Sequence, residues 1–168
     1  MKKGSKAEKT KTASLYTLEV FIFSGPMSEK FFKKNPAVSR TIQIRGSQTL
    51  EQLHGVIFKA FDRWEEHMYE FQVGGKGPMD KKARRYGLTK LEETSFFGDS
   101  SSGDVAETKI ESLGLKTGGR FGYWFDFGDD WWHQINVVAI EDVAADGRYP
   151  KVIKRQGKSP PQYMDDDE

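Results

Sequence analysis

The sequence predicts an α+β domain with one main helix laid across a mixed sheet, the elaborated β-grasp, or ubiquitin-like, arrangement. Three observations carry that prediction. Two β-rich segments, Tyr16–Phe23 and Arg40–Gly46, come first. A single helical stripe follows them, and two strongly alternating aromatic segments lie near the end of the chain.

Tyr16, Leu18, Val20 and Ile22 alternate with Thr17, Glu19, Phe21 and Phe23, so this strand buries one face and partly covers the other, and Ser24-Gly25-Pro26 ends it. The short basic stretch Met27–Asn35 reads as a loop insertion. In Arg40–Gly46, Ile42 and Ile44 point to one side and Thr41, Gln43 and Arg45 to the other. Thr49 and Gln52 then form a capping box. Leu50, Leu53, Ile57, Phe61 and Trp64 recur at helical spacing, which predicts a helix from Leu50 to about Glu65. Met68–Val73 makes a third strand, Gly74–Arg85 a glycine-rich basic loop, and residues 86–107 a long connection with one short strand near Thr94–Phe97. Thr108–Leu115 is a helical turn closed by Gly114. In the last pair, Phe121, Tyr123, Phe125 and Phe127 share a face, as do Trp131, His133, Ile135 and Val137. Burying both sets together requires an odd loop, and Gly128-Asp129-Asp130 supplies one. That loop pairs Phe127 with Trp131, Phe125 with His133, Tyr123 with Ile135 and Phe121 with Val137.

Composition narrows the function. The chain has 168 residues, of which 12 Phe, 6 Tyr and 4 Trp can build a core, and 26 Lys and Arg balance 25 Asp and Glu. Without cysteine there is no disulfide framework, thiol nucleophile or Cys-ligated metal site. No apolar run approaches the ~20 residues of a membrane span, so the expectation is a cytoplasmic protein without a membrane partner. Charge is nevertheless blocked along the chain. Lys2, Lys3, Lys6, Lys9 and Lys11 crowd the start, and Lys76, Lys81, Lys82, Arg84 and Arg85 the glycine-rich loop. Residues 121–146 carry six acids and no Lys or Arg, residues 147–158 swing basic, and Asp165–Glu168 are all acidic. The organisation read from this is a basic tail over 1–13, one α+β domain over 14–157 and an acidic tail over 158–168.

Chemistry-bearing residues concentrate at the aromatic hairpin. Asp126, Asp129, Asp130 and His133 combine carboxylates with an imidazole, the donor types that hold Mg²⁺, Mn²⁺ or Zn²⁺. Asp129, Asp130 and His133 are the metal-ligating candidates, although Asp126 leaves the opposite face from His133 and the other two sit at the tip. The blander reading has the aspartates closing the turn and His54, His67 and His133 serving as structural histidines. Gly74-Gly75-Lys76-Gly77 lacks the Lys-Ser/Thr ending of a P-loop, and no Gly-x-Ser-x-Gly occurs. Trp124 and Trp132 face away from the odd-numbered set. They form a second small core beneath the 74–107 connection or, with Tyr163, an exposed patch for a protein or stacked bases.

Several of these segments resemble a known family. The residues that carry the resemblance are Thr49-Leu50-x-x-Leu53-His54, Ala60-Phe61, Trp64 and His67-Met68-Tyr69-x-Phe71. The hairpin run Phe121-x-Tyr123-x-Phe125-Asp126-Phe127-Gly128-Asp129-x-Trp131-x-His133-x-Ile135 adds to them, with Tyr149-Pro150-Lys151, Gly157 and Pro160-Pro161 at the end. From Tyr16 to about Gln162 the chain resembles the plasmid pRiA4b ORF-3-like family, with Ser39-Arg40-Thr41 where that family carries a Trp-Arg-Arg run. The resemblance implies a fold and a plasmid or mobile-element setting, and no activity. The expected function is therefore a non-enzymatic macromolecular binding or adaptor domain, its partner a protein ahead of nucleic acid. Asp126, Asp129, Asp130, Trp131, His133, Arg40 and His54 are its candidate binding residues. No cofactor is expected beyond a possible divalent metal. The alternatives are a metal-dependent hydrolase or phosphoryl-transfer enzyme at the hairpin, and nucleic-acid binding by the basic loops.

Overall fold

The computed structural model describes residues 12–88 and 103–164. Its elements are β1 (Thr12–Ser24), α1 (Glu29–Lys34), β2 (Ser39–Arg45), α2 (Leu50–Ala60), β3 (Tyr69–Val73), β4 (Arg84–Gly87) and β5 (Gly103–Asp104). A 3₁₀ turn over Ile110–Leu113, β6 (Arg120–Phe125), β7 (Trp131–Ala144) and β8 (Lys151–Gln156) complete it. The eight strands form one sheet in the order β5-β4-β3-β6-β7-β1-β2-β8. Every pairing is antiparallel except β4 with β5, so the sheet is mixed and the fold is α+β.

The core lies between one face of this sheet and α2. Tyr16, Leu18, Val20, Ile42 and Ile44 meet Phe71, Phe121, Tyr123, Phe125, Ile135 and Val137 there, under Leu50, Leu53, Ile57 and Phe61. The capping box starts α2 as expected: Gln52 N donates to Thr49 Oγ1 at 3.2 Å and Thr49 N to Gln52 Oε1 at 2.9 Å. The helix nonetheless ends at Ala60, not near Glu65. Asp62 adopts φ 55°, Asp62 N donates to Lys59 O and Arg63 N to Phe58 O, the paired bonds of a Schellman motif. Trp64, expected at the end of the buried stripe, is thrown out to 69% exposure.

Other expectations are corrected locally. Met27–Asn35 is not a plain loop: Ser28 caps the six-residue α1 by accepting from Phe31 N at 3.0 Å. The basic stretches also hide two strands, β4 and β8. The final hairpin keeps the expected parity but shifts by two residues, so that Phe125 pairs with Trp131, Tyr123 with His133 and Phe121 with Ile135. Its loop has five residues, Asp126–Asp130, because Asp126 turns to φ 63° and ends the strand. Phe127 accordingly leaves the odd-numbered face and stacks on Trp124 at 4.0 Å. Residues 158–163 do not stand off as a tail, since Pro160 and Gln162 are buried. The strand expected near Thr94–Phe97 and the acidic Asp165–Glu168 lie outside the described residues. Within them, no helix is long and apolar enough to cross a membrane.

Candidate functional site

The expected site residues fall into separate environments. Asp126 Oδ1 accepts from Gly128 N at 3.0 Å and Asp129 N at 3.1 Å, the hydrogen bonds of a turn. Asp130 Oδ1 accepts from Trp124 Nε1 at 2.9 Å. His133 lies under α2, 1% exposed, with its ring 5.4 Å from Phe61 and 5.0 Å from Tyr123. The hairpin therefore does not bring Asp129, Asp130 and His133 together. Among the described residues no three His, Asp or Glu side chains stand where they could hold a metal ion.

Arg40, expected at a binding surface, is instead buried and committed to the interior. Its Nε donates to Ala60 O at 2.8 Å, its Nη1 to Ser39 O, Gln156 O and Gly157 O, and its Nη2 to Ser159 Oγ. Its guanidinium also lies 5.1 Å from the Phe61 ring. Burial and the nearby Arg155 charge push its pKa down.

His54 is buried as well, stacked on Tyr69 at a centroid distance of 3.6 Å. Its Nε2 reaches Glu66 Oε1 at 2.8 Å and its Nδ1 reaches the Tyr123 hydroxyl at 2.6 Å. A carboxylate only accepts, so Nε2 carries the proton and Nδ1 accepts from Tyr123. Burial lowers the pKa of His54 and raises that of Tyr123 well above the usual range, and the chain Glu66–His54–Tyr123 holds its protons in place.

Sequence reasoning missed Arg63. It is 7% exposed, its guanidinium lies 4.0 Å over the Trp131 ring, and among the described residues neither Nη1 nor Nη2 has a hydrogen-bond partner. Burial lowers its pKa to about 10. His133 shares a tight void with Arg63, Tyr123 and Phe61. Burial first, and the Arg63 charge second, push its pKa down to about 3, so it is neutral. Trp131, another expected site residue, is fully buried beneath that cation.

On the second face of the sheet, Trp124 and Trp132 stack at 4.8 Å with ring planes 3° apart, both buried. The 74–83 arc covers part of this face: a Cβ on Gly122 would lie 2.7 Å from Pro78 Cα. That arc is no phosphate cradle. Asp80 occupies it, accepting from Lys76 N at 2.7 Å and Lys82 N at 2.9 Å.

What the molecule presents outward is different. A cleft of about 790 Å³ lies between the turn after α2 and the 157–163 segment, lined by Trp64, Tyr163, Pro160, Pro161, Arg155 and Lys158 among others. Trp64 meets Tyr163 edge to face at 5.5 Å. Buried Gln162 fixes this wall: its Oε1 accepts from Trp64 N and Glu65 N, and its Nε2 donates to Glu65 O at 2.7 Å. Tyr163 is held in turn by His67, whose Nε2 also lies 3.4 Å from Asp126 Oδ2. Trp64 carried a visible signal, but its helical spacing assigned it to the core.

Comparison with known proteins places the chain. It is 29% identical over 129 residues to an uncharacterised protein, y4hQ, of Sinorhizobium fredii, an alignment covering 76% of this chain and 59% of that one. The chain thus spans under two thirds of that curated relative's length. A crystal structure of a protein of unknown function from Methanosarcina mazei Go1 superposes with a TM-score of 0.65, covering 90% of this chain and 74% of the other at 18% identity, which shows a shared fold. The family pattern described as plasmid pRiA4b ORF-3-like protein matches residues 30–166, running from α1 through the core to the Trp64–Tyr163 cleft and beyond. The chain belongs to the plasmid pRiA4b ORF-3-like protein family.

Proposed function

We propose that this protein is a non-enzymatic binding module whose macromolecular partner, a protein, docks on the cleft between the turn after α2 and Pro160–Pro161. One observation carries the reading. Trp64 is 69% exposed yet its backbone is fixed by buried Gln162, so a large aromatic anchor stands pre-positioned beside Tyr163. Rigid exposed aromatics next to polar rims are where binding energy concentrates, because little side-chain freedom is lost on docking. Of the carboxylates expected to hold a metal, Asp126 is engaged in its turn and Asp130 by the Trp124 indole, and His133 is buried away from them, which favours this reading over an enzyme. The basic loop is closed on its own Asp80, which favours it over nucleic-acid binding. The scaffold counts as an elaborated β-grasp on the strength of its β1–β2 hairpin followed by α2 across a mixed sheet. The cytoplasm, in the plasmid or mobile-element setting of the family, is the proposed place of work.

A photo-crosslinking residue in place of Pro161, with another in place of exposed Val138 as control, tests this in living cells. The expected result is one protein adduct formed from position 161, absent from position 138 and lost with Trp64→Ala. The same Trp64→Ala chain should keep its stability within about 0.5 kcal/mol, as exposed side chains do. Identical adducts from both positions, or none from 161, would remove the proposal.

A further inference from the structure

We infer that the segment docking here is an acidic peptide with bulky apolar anchors, bound along a cationic band that runs from Trp64 over Pro161 to α1. This rests on the binding reading above and names the chemistry of the partner.

The band is made of three adjoining clefts. The 790 Å³ cleft at Trp64 shares Lys158, Ser159 and Pro161 with a second cleft of about 310 Å³ against α1. That second cleft adds Lys30, Phe31 and Lys34, and shares Ser28 with a third of about 580 Å³. The third holds Phe23, Met27, Phe32 and Lys33. Apolar side chains thus mark both ends of the band: Trp64 at one, and Phe32 and Phe23, 56% and 53% exposed, at the other.

Charge lies between those ends. Lys30, Lys33, Lys34, Arg155 and Lys158 line the three clefts, against the carboxylates of Asp62 and Glu29. Asp62 stands at the Trp64 end of the band, away from the α1 lysines, where it accepts from the Ser159 hydroxyl. Among the described residues no lysine ammonium of the band pairs with a carboxylate. A row of lysines without carboxylate partners among the described residues, between two hydrophobic ends, is complementary to a segment of Asp and Glu flanked by Phe, Leu or Trp. The cations steer and orient, and the apolar ends supply affinity.

A peptide suits the band better than a nucleic acid. Asp62 and Glu65 sit beside Trp64, where they would repel a phosphate backbone trying to stack a base on that indole. Phe23, Met27 and Phe32 offer a greasy seat for a side chain rather than a flat stacking platform.

A random-peptide display library, selected on the full chain and counter-selected on Trp64→Ala, reads out the preferred chemistry directly. The expected sequences carry runs of Asp or Glu bounded by large apolar residues. The best of them, labelled for fluorescence polarisation, should lose about tenfold or more in affinity with Trp64→Ala and with the pair Lys34→Glu and Lys158→Glu. Affinity should also fall as salt rises, and Lys116→Glu, an exposed change off the band, should leave it unaltered. Selected peptides without acidic enrichment, or no enrichment while the position 161 adduct still forms, would overturn the acidic class and leave the binding module standing. No enrichment together with no adduct would overturn both. Oligothymidine binding the band more tightly than any selected peptide would replace the peptide with nucleic acid.

Discussion

At the scale of single residues, the buried face under α2 keeps two polar groups that an apolar core could do without. Arg63 is a buried guanidinium with no carboxylate within salt-bridge distance among the described residues, compensated by the Trp131 ring it covers. Removing such a charge in favour of a similar apolar volume relieves desolvation. Arg63→Met should therefore fold and gain about 1 kcal/mol, or about 2–4 °C in melting temperature, measured by calorimetry. His133 supplies the matching pH dependence. Its native pKa is pushed down to about 3, while in the unfolded chain it returns to the ordinary histidine value. Below pH ~6.5 the unfolded state takes up a proton that the native state refuses, so stability is full above that pH and falls as the solution is acidified. At ~1.4 kcal/mol per pH unit, the loss reaches about 2 kcal/mol by pH 5. His133→Gln should flatten this fall relative to the parent chain. Glu70, whose pKa burial raises, acts in the opposite sense, and it cancels in that comparison because both chains carry it. Because the Arg63 charge adds to the depression, Arg63→Met should move the His133 titration, followed by NMR, back toward the ordinary value. The sequence offered His133 as a structural histidine on the aromatic face, but held no sign of its Arg63 neighbour. The expected grouping of His133 with Asp129 and Asp130 used chain proximity, whereas its actual neighbours Arg63, Tyr123 and Phe61 come from other elements.

At the scale of elements, what periodicity encodes was readable and what end geometry encodes was not. Alternation located β1, β2, β3, β6 and β7, and the capping box located the start of α2. The end of α2 escaped because its Schellman turn uses Asp62 in the left-handed region, where the usual signal is glycine. The hairpin register slipped by two residues for the same kind of reason: Asp126 takes positive φ and ends β6 at Phe125, so the loop begins two residues earlier than Gly128 suggests while still ending at Asp130. β8 escaped because Lys151, Lys154 and Arg155 break the apolar alternation. Those cations and the irregularity opposite Thr41 and Ile42 are features that disfavour edge-to-edge pairing of an open sheet edge. Two glycines test these elements in opposite directions. Gly55 sits in the interior of α2 with nothing within 4 Å of a built Cβ, so Gly55→Ala should stabilise by about 0.5–1 kcal/mol. Gly122 sits in β6, where a Cβ would come 2.4 Å from Gln72 Oε1 and 2.7 Å from Pro78 Cα. Pro78 is backbone of the covering arc and cannot rotate away, so Gly122→Ala should cost about 1–3 kcal/mol in chemical denaturation.

At the scale of the whole molecule, one side chain ties the cleft to the core. Arg40 stands on β2, one strand in from the sheet edge, and its fork reaches the last carbonyl of α2, the end of β8 and Ser159. Arg155 from β8 donates to the same Ala60 carbonyl at 2.7 Å, so the helix terminus, the edge strand and the 157–163 segment close on a common point. That closure sets where Pro160 and Pro161 lie, and through Gln162 it sets where Trp64 points. The family resemblance singled out Pro160-Pro161, and Arg40 stood among the candidate binding residues, yet their connection depends on β8 being a strand, which the sequence did not disclose. The carbonyls on Arg40 accept from several directions of one planar group, a pattern that an ammonium cannot reproduce. Arg40→Lys should thus behave nearly as Arg40→Met does, each losing about 3 kcal/mol or more as buried acceptors go unpaired. Hydrogen exchange gives the decisive contrast. In either variant, protection should fall first over β8 and residues 157–163, while the amides of β6 and β7 keep theirs to a deeper level of unfolding. Uniform loss of protection across the sheet would mean that Arg40 only adds to global stability. Selective loss, accompanied by loss of peptide binding in a still-folded chain, would show that the cleft exists because the sheet edge is stapled to the helix end.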